Sequence, residues 1–346
     1  MEPEISILLP TYNPGKFLDQ RLDSIIRQTF QNWELIIVDS QSTDGSAEIL
    51  RKLADSDPRV RFYDRPRGLY ESWNFAVEQA RGKYVYIATA DDSMVPEALK
   101  TLYDALEEHP ECDICDSVLK LIDENDREIQ PFEPIYIAHH WHVPFPRDRK
   151  HIRCKPGDFY AHMGGKTIYT SVTQILIRRS LFKQTGLFSP DFGRSADYLW
   201  DMRAALNANV LFLPVQLATW RIHNQQVTRS TSNEIINKNY FLMSEMAMQV
   251  LKECPPSVAR KAKKISSLIH FKSILLPAKR NPTSIFEKGR ITLSAFLRYP
   301  VLTTEFLLTL LLYYWKIPRA FVMIYTFDRM IRRHTLFICS RFIRYL

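Results

Sequence analysis

Several absences narrow this 346-residue sequence at the outset. Cysteine is scarce: there are five, an odd number without framework spacing, which excludes a disulfide-built scaffold and fits a reducing compartment. Cys112 and Cys115 form a single C-x-x-C, with His139, His140 and His142 downstream. One such pair is weak for zinc, and residues 113–118 read as a strand in which a buried free cysteine is ordinary. No uninterrupted apolar run approaches the roughly 20 residues of a membrane span, which argues against a processive synthase with several spanning helices. The acidic start Met1-Glu2-Pro3-Glu4 runs straight into Ile5-Ser6-Ile7-Leu8-Leu9. That is too short for a secretory apolar region and has no basic flank, so the expectation is a cytosolic chain. Internal repeats and Gly/Ser-rich linkers are missing as well. After the first strand candidate stands Pro10-Thr11-Tyr12-Asn13-Pro14-Gly15 instead of a Gly-x-Gly-x-x-Gly turn, which excludes a dinucleotide-dependent dehydrogenase.

Charge is present but uneven. The formal net charge is +8, from 46 basic and 38 acidic residues. Residues 316–346 hold Lys316, Arg319, Arg329, Arg332, Arg333, Arg341 and Arg344 against Asp328, so this segment carries +6 and the rest is nearly neutral. A near-neutral body and an apolar tail do not make a nucleic-acid binder. The tail mixes Tyr, Trp, Phe and Arg around the apolar stretches 306–315 and 321–327, with Pro318 between them. Such a mixture suits helices lying in a membrane interface. The alternative is a helical bundle packed on the body or on a second subunit of a homo-oligomer.

Apolar β-branched runs at 5–9, 34–39, 60–63, 84–89, 113–118, 172–177 and 210–213 read as strands. Helical spacing at 16–28, 46–53, 70–80 and 96–106 falls between the early strands, with Pro96 in a first turn. This alternation predicts an α/β fold with a mainly parallel sheet flanked by helices. The stretch 131–158, rich in Pro, His and aromatics, reads as a long loop or lid, or equally as a hairpin. The pattern turns helical after 230, and Asn281-Pro282 breaks it. The expected organisation is a catalytic body over 1–230, a helical segment over 231–283 and a basic, aromatic helical tail over 284–346.

The stretch richest in chemistry is Tyr84-Val85-Tyr86-Ile87-Ala88-Thr89-Ala90-Asp91-Asp92-Ser93. A buried strand here ends in two carboxylates. Paired carboxylates at a strand's carboxyl end suit a hard divalent cation that shares itself with phosphate oxygens, and open α/β sheets bind ligands at those ends. Three further motifs accompany it: Leu9-Pro10-Thr11-Tyr12-Asn13, Ile37-Val38-Asp39-Ser40-Gln41-Ser42-Thr43-Asp44-Gly45-Ser46, and Ser195-Ala196-Asp197-Tyr198-Leu199-Trp200 at a helix start. Tyr12 offers a ring on which a nucleobase can stack. Asp39 offers a carboxylate that accepts from a base N–H or a ribose hydroxyl.

In this order, and with Arg81-Gly82-Lys83-Tyr84 before the third, the four motifs resemble the family 2 glycosyltransferases of GT-A fold over residues 4–228. The resemblance implies nucleotide contacts at Pro10, Thr11, Tyr12 and Asp39. It places Arg67 beside the base or pyrophosphate, Asp91 at donor and metal, and Asp92 at the metal. It implies Mn²⁺ or Mg²⁺, and makes Asp197 the general base of an inverting transfer. It also puts Arg221 and His223, from Trp220-Arg221-Ile222-His223, at the leaving diphosphate or the metal, and Trp200 near the acceptor. Two positions depart from the family pattern: Thr89 stands where a further Asp is common, and Ala196 where an acidic pair is usual. The expected reaction moves a sugar from a nucleotide-diphosphate sugar, UDP-sugar favoured, to a hydroxyl of a lipid-linked or polysaccharide acceptor. The expected location is cytoplasmic, peripheral at the inner face of the membrane. The alternative is a catalytically degenerate scaffold that binds a nucleotide-sugar, with Thr89 and Ala196 as its support.

Overall fold

A computed structural model describes residues 2–129, 145–163, 168–223, 246–263, 265 and 339–346. Among these, nine strands form one mixed sheet in the order β3-β2-β1-β4-β7-β5-β8-β6-β9. The strands are β1 (Ile5–Thr11), β2 (Trp33–Asp39), β3 (Val60–Asp64), β4 (Tyr84–Ile87), β5 (Ile114–Asp123), β6 (His151–Arg153), β7 (Ile175–Arg178), β8 (Val210–Ile222) and β9 (Ile343–Tyr345). The helices are α1 (Leu18–Ile26), α2 (Ser46–Ser56), α3 (Leu69–Gln79), α4 (Ala98–Glu108), α5 (Gly157–His162), α6 (Phe182–Thr185) and α7 (Ala196–Asn207). The first half, β1 to β4, is parallel throughout; β7 enters antiparallel between β4 and β5, and β5 runs parallel to β8.

All seven residues of β1 and of β2 are buried, as parallel strands covered on both faces must be. Their side chains alternate between two cores. Ile5, Ile7 and Leu9 join Leu35 and Ile37 beneath α1, α2 and α4, while Leu8, Ile36 and Val38 face α3 and α7. Cys112 and Cys115, at the start of β5, pack as small apolar groups in the first of these cores. Gly82 lies where a Cβ would come 2.7 Å from the Ser6 nitrogen, so the turn into β4 can press on β1 only without a side chain.

The α/β architecture and the first four strands agree with the sequence pattern. The differences lie further along. The strand expected over 172–177 starts later, at Ile175, because Ser171 and Gln174 form a capping box around a 3-10 turn at Val172–Gln174. The strand expected over 210–213 continues to Ile222. It crosses Pro214 through two register shifts between Ser117 and Leu119, where β8 carries extra residues, since proline has no N–H for the ladder. Within the expected loop 131–158, residues 151–153 are a buried strand. Arg153 anchors it through ion pairs with Asp116 at 2.8 Å and Asp158 at 3.0 Å, a tertiary match that no local pattern announces.

Of the segment 231–283, residues 246–253 and 256–263 are helical, and Met246, Val250, Ala262 and Ile265 are buried in the α3/α7 core. The expected tail over 284–346 falls outside the described residues up to 338. Its described end is a 3-10 turn at Ser340–Phe342 followed by a strand: β9 pairs with β6, Cys339 is buried in the α3/α7 core, and Phe342 packs on Gly157, where an added Cβ would meet the Phe342 Cβ at 2.7 Å. Among the described residues no helix is long and apolar enough to cross a membrane.

Candidate active site

The strand order places β1 between β2 and β4, so the chain reverses direction across the sheet at β1. Such a reversal opens a crevice at the strands' carboxyl ends. Thr11 and Asp39 are register partners at those ends, and Ile87 closes β4 just before Asp91. The sequence candidates Pro10, Thr11, Tyr12, Asp39 and Asp91 therefore come to one rim.

Two loops on this rim are stitched together. Asn13, at φ 47°, accepts from the Thr43 N–H at 2.7 Å, and its own N–H donates to Ser42 Oγ at 2.9 Å. The Gly15 N–H donates to Asp44 at 2.9 Å. Asp39 is buried and accepts from Thr11 Oγ1 at 2.8 Å, Ser42 Oγ at 2.6 Å and the Ser42 N–H at 2.8 Å. Its carboxylate thus shapes the β2–α2 turn as well as facing the rim. Tyr12 is 43% exposed, and the Arg67 guanidinium lies over its ring at 4.1 Å from the centroid. An exposed aromatic face with a cation beside it is suited to a base and a phosphate.

At the end of β4 the two acidic residues separate in role. Asp91 Oδ2 lies 3.0 Å from His223 Nε2, and both side chains retain exposure. Asp92 is buried. It accepts from the Arg221 N–H at 2.7 Å and from the Thr89 hydroxyl. Burial, with the Asp91 charge next to it, pushes its carboxyl up, while those two donors and the Arg21 charge pull it down. Thr89, which departs from the acidic pattern, is thereby a donor to Asp92.

Arg221 is buried and directed inward. It donates to the Asp91 carbonyl at 2.8 Å and the Asp123 carbonyl at 3.0 Å, and pairs with Asp126 at 2.7 Å. In this arrangement it braces the β4 rim. Trp200 lies in the core, 2% exposed, stacked between Phe182 and Phe188 at 5.0 and 5.3 Å, with its indole N–H on the Gly186 carbonyl at 3.1 Å. It is not among the rim groups.

Asp197 opens α7. Its carboxylate accepts from the Tyr198 N–H at 2.8 Å and from the Tyr70 hydroxyl. Burial raises its carboxyl above the ordinary range, partly offset by these two donors. A carboxylate so raised is a stronger base in its ionised form, and the helix N-terminus favours that form.

Among the described residues no three His, Cys, Asp or Glu side chains converge as a closed metal cage. Asp91 and His223, 3.0 Å apart, are the two side chains here that could hold a metal. A divalent cation that also takes diphosphate oxygens and water needs no more from the protein, so the donor set fits Mg²⁺ or Mn²⁺.

A family model described as glycosyl transferase family 2 matches residues 6–185, just over half of the chain. The chain belongs to glycosyl transferase family 2. The matched span ends before α7 and β8 and so does not reach Asp197 or His223. Among curated relatives, the glycosyltransferase GlyG of Streptococcus pneumoniae is 36% identical over 110 residues, 31% of this chain and 36% of that protein. The match therefore covers about a third of that relative's length. Among solved structures, S. aureus TarS in complex with UDP-GlcNAc aligns at TM-score 0.63 and 20% identity, over 95% of this chain and 90% of that one. The mannosyltransferase PcManGT from Pyrobaculum calidifontis, with GDP-Man and Mn²⁺, aligns at TM-score 0.56 and 16% identity, over 99% and 87%. At these identities the likeness establishes the GT-A fold.

Sequence reasoning missed Tyr70, Asn74, Arg21 and the Gln20–Asp126 bracket around Arg221. Tyr70 and Asn74 share a face of α3 at i, i+4, which reads locally as packing. Only their partners, more than a hundred residues away, reveal more.

Proposed function

We propose that this family 2 member is an inverting glycosyltransferase. It moves a sugar from a nucleotide-diphosphate sugar to a hydroxyl of a lipid-linked or polysaccharide acceptor. The observation that carries the reading is the Asp91–His223 pair, 3.0 Å apart at the carboxyl ends of β4 and β8, beside the Tyr12–Arg67 stack. Tyr12 and Asp39 would hold base and ribose, and Arg67 would meet phosphate. Asp91 and His223 would hold Mn²⁺ or Mg²⁺, which when bound neutralises the diphosphate leaving group.

Asp197 takes the proton of the acceptor hydroxyl while that oxygen forms its bond to the anomeric carbon. The bond from that carbon to the diphosphate breaks at the same time, and its electron pair leaves with the diphosphate. One displacement inverts the configuration and leaves no sugar on the protein. A UDP-sugar is favoured because the fold neighbour TarS holds UDP-GlcNAc. The basic aromatic segment 284–346 supports a location on the inner face of a membrane, where an acceptor with a lipid anchor would lie.

The test is transfer from a panel of nucleotide-sugars by wild type and Asp197→Asn, with the anomeric proton of the product followed by NMR. Inverted product from one nucleoside class, lost in the Asn variant, is the expected result. Retained configuration, or near-normal turnover by Asp197→Asn, overturns it. Donor binding without turnover by wild type would identify a nucleotide-sugar-binding scaffold.

A further inference from the structure

We propose that Tyr70 is the positioning residue of Asp197, and that α3 sets the orientation of that carboxylate from both its side-chain and its main-chain side. This rests on Asp197 being the general base.

Tyr70 sits in the first turn of α3 and is 5% exposed. Its ring packs on Trp73 at 5.2 Å and on Phe188 at 5.9 Å, and Trp73 meets Phe188 edge-on at 5.0 Å. In such an aromatic cluster a phenylalanine would fill the same space without a polar atom. A buried hydroxyl costs free energy unless it is paired. The Tyr70 hydroxyl donates to the Asp197 carboxylate, so it is the hydroxyl and not the ring that addresses the base.

One helical turn on, Asn74 grips the loop that leads to α7. Its Oδ1 accepts from the Phe188 N–H at 2.9 Å, and its Nδ2 donates to the Phe188 carbonyl at 2.8 Å. Residues at i and i+4 share a helix face, so Tyr70 and Asn74 hold the side chain and the approach loop of Asp197 together. The other end of the carboxylate's environment is the N-terminus of α7, through the Tyr198 N–H at 2.8 Å. The same first turn of α3 also reaches the nucleotide side, where Ser72 Oγ lies 3.1 Å from Ser40 Oγ at the end of β2.

The titratable groups around Asp197 come from three elements. Tyr70 on α3 faces it directly, and Asp201, one turn along α7, acts on the same Tyr70 phenol. From α5, His162 faces Tyr198, with ring centroids 5.9 Å apart. From α6, Phe182 faces Trp200 and brings no charge.

A hydroxyl that donates to a carboxylate favours its ionised form. Its removal must move the acid limb of the rate profile to higher pH and slow the chemical step without weakening the donor.

The experiment compares wild type, Tyr70→Phe, Asn74→Ala and Asp197→Asn in steady-state transfer from pH 4 to 9, with donor affinity by calorimetry. Tyr70→Phe is expected to lower kcat about tenfold, leave donor KM within about twofold, and shift the acid limb upward. Asn74→Ala is expected to lower kcat with less movement of the limb. Circular dichroism at each pH separates a moved limb from acid unfolding of a variant, because stability also varies with pH. Wild-type kcat and an unmoved limb in Tyr70→Phe overturn the proposal while Asp197→Asn remains inactive. Turnover by Asp197→Asn overturns the base assignment itself, whatever Tyr70 does.

Discussion

The Arg221 side chain donates to the Asp91 carbonyl at 2.8 Å, while the Arg221 backbone N–H donates to the Asp92 carboxylate at 2.7 Å. One buried residue near the end of β8 thus fixes both acidic residues that follow β4. Arg221→Met should remove the side-chain donor of the Asp91 carbonyl and leave the Asp123 carbonyl with the Asp126 N–H at 3.3 Å. We expect a loss of about 1.5–3 kcal/mol in urea unfolding, the usual worth of hydrogen bonds to a charged group, together with weaker metal-dependent donor binding. An unchanged unfolding midpoint would show that these contacts carry no net stability.

Asp91→Ala and His223→Ala should each abolish Mn²⁺-stimulated nucleoside diphosphate binding and leave circular dichroism unchanged, because both side chains are partly exposed and neither holds the core together. Calorimetry with and without chelator separates the outcomes. Metal stimulation that persists in the double variant would move the cation elsewhere.

Asp39→Ala should raise donor KM more than it lowers kcat, since its contact is with the non-reacting end of the donor. It should also loosen the turn that its carboxylate holds through Thr11 and Ser42, at a cost of roughly 1–3 kcal/mol for the buried donors left unpaired. Unchanged nucleoside diphosphate affinity would make Asp39 a turn residue alone.

The pH dependence follows from the sign of the Asp197 shift. Burial raises its carboxyl above the ordinary range, so protonation, and loss of the base, begins at higher pH than for a solvated aspartate. Turnover should therefore fall as pH drops through that raised value, and Asp197→Asn should cut turnover about 10²–10⁴-fold. Stability runs the other way. A group whose folded pKa lies above its unfolded one contributes stability below the unfolded value, and that contribution is lost as pH rises through the folded one. Thermal melts of Asp197→Asn should be flatter than wild type across that window; parallel curves would contradict the shift.

Deleting residues 301–346 would remove β9 and expose the edge of β6, which invites aggregation unrelated to membranes. The cleaner test replaces Arg329, Arg332 and Arg333 by Gln. At about 1 kcal/mol per charge near an anionic surface, sedimentation with phosphatidylserine vesicles should fall roughly 10²-fold, with donor affinity unchanged. Wild-type sedimentation by the triple variant would remove the membrane assignment.

By itself the sequence determined the α/β class, the first four strands and the rim of the site. Those elements are written in local terms: buried β-branched runs, capped helices, and polar motifs at strand ends where the backbone must leave the core. It also put Asp91, His223 and Asp197 forward as separate candidates, because their residue types and motif order are local properties. Only the tertiary structure decided what stands beside each of them. It brought His223 to Asp91 across 132 residues, turned Arg221 and Trp200 inward, and set Tyr70 on Asp197. It likewise made residues 151–153 and 343–345 strands of one sheet. Short strands at a sheet edge have too few residues to show a period, and they form because a partner strand offers its ladder. A carboxylate's partner is chosen by the packing of distant elements, which no local pattern records.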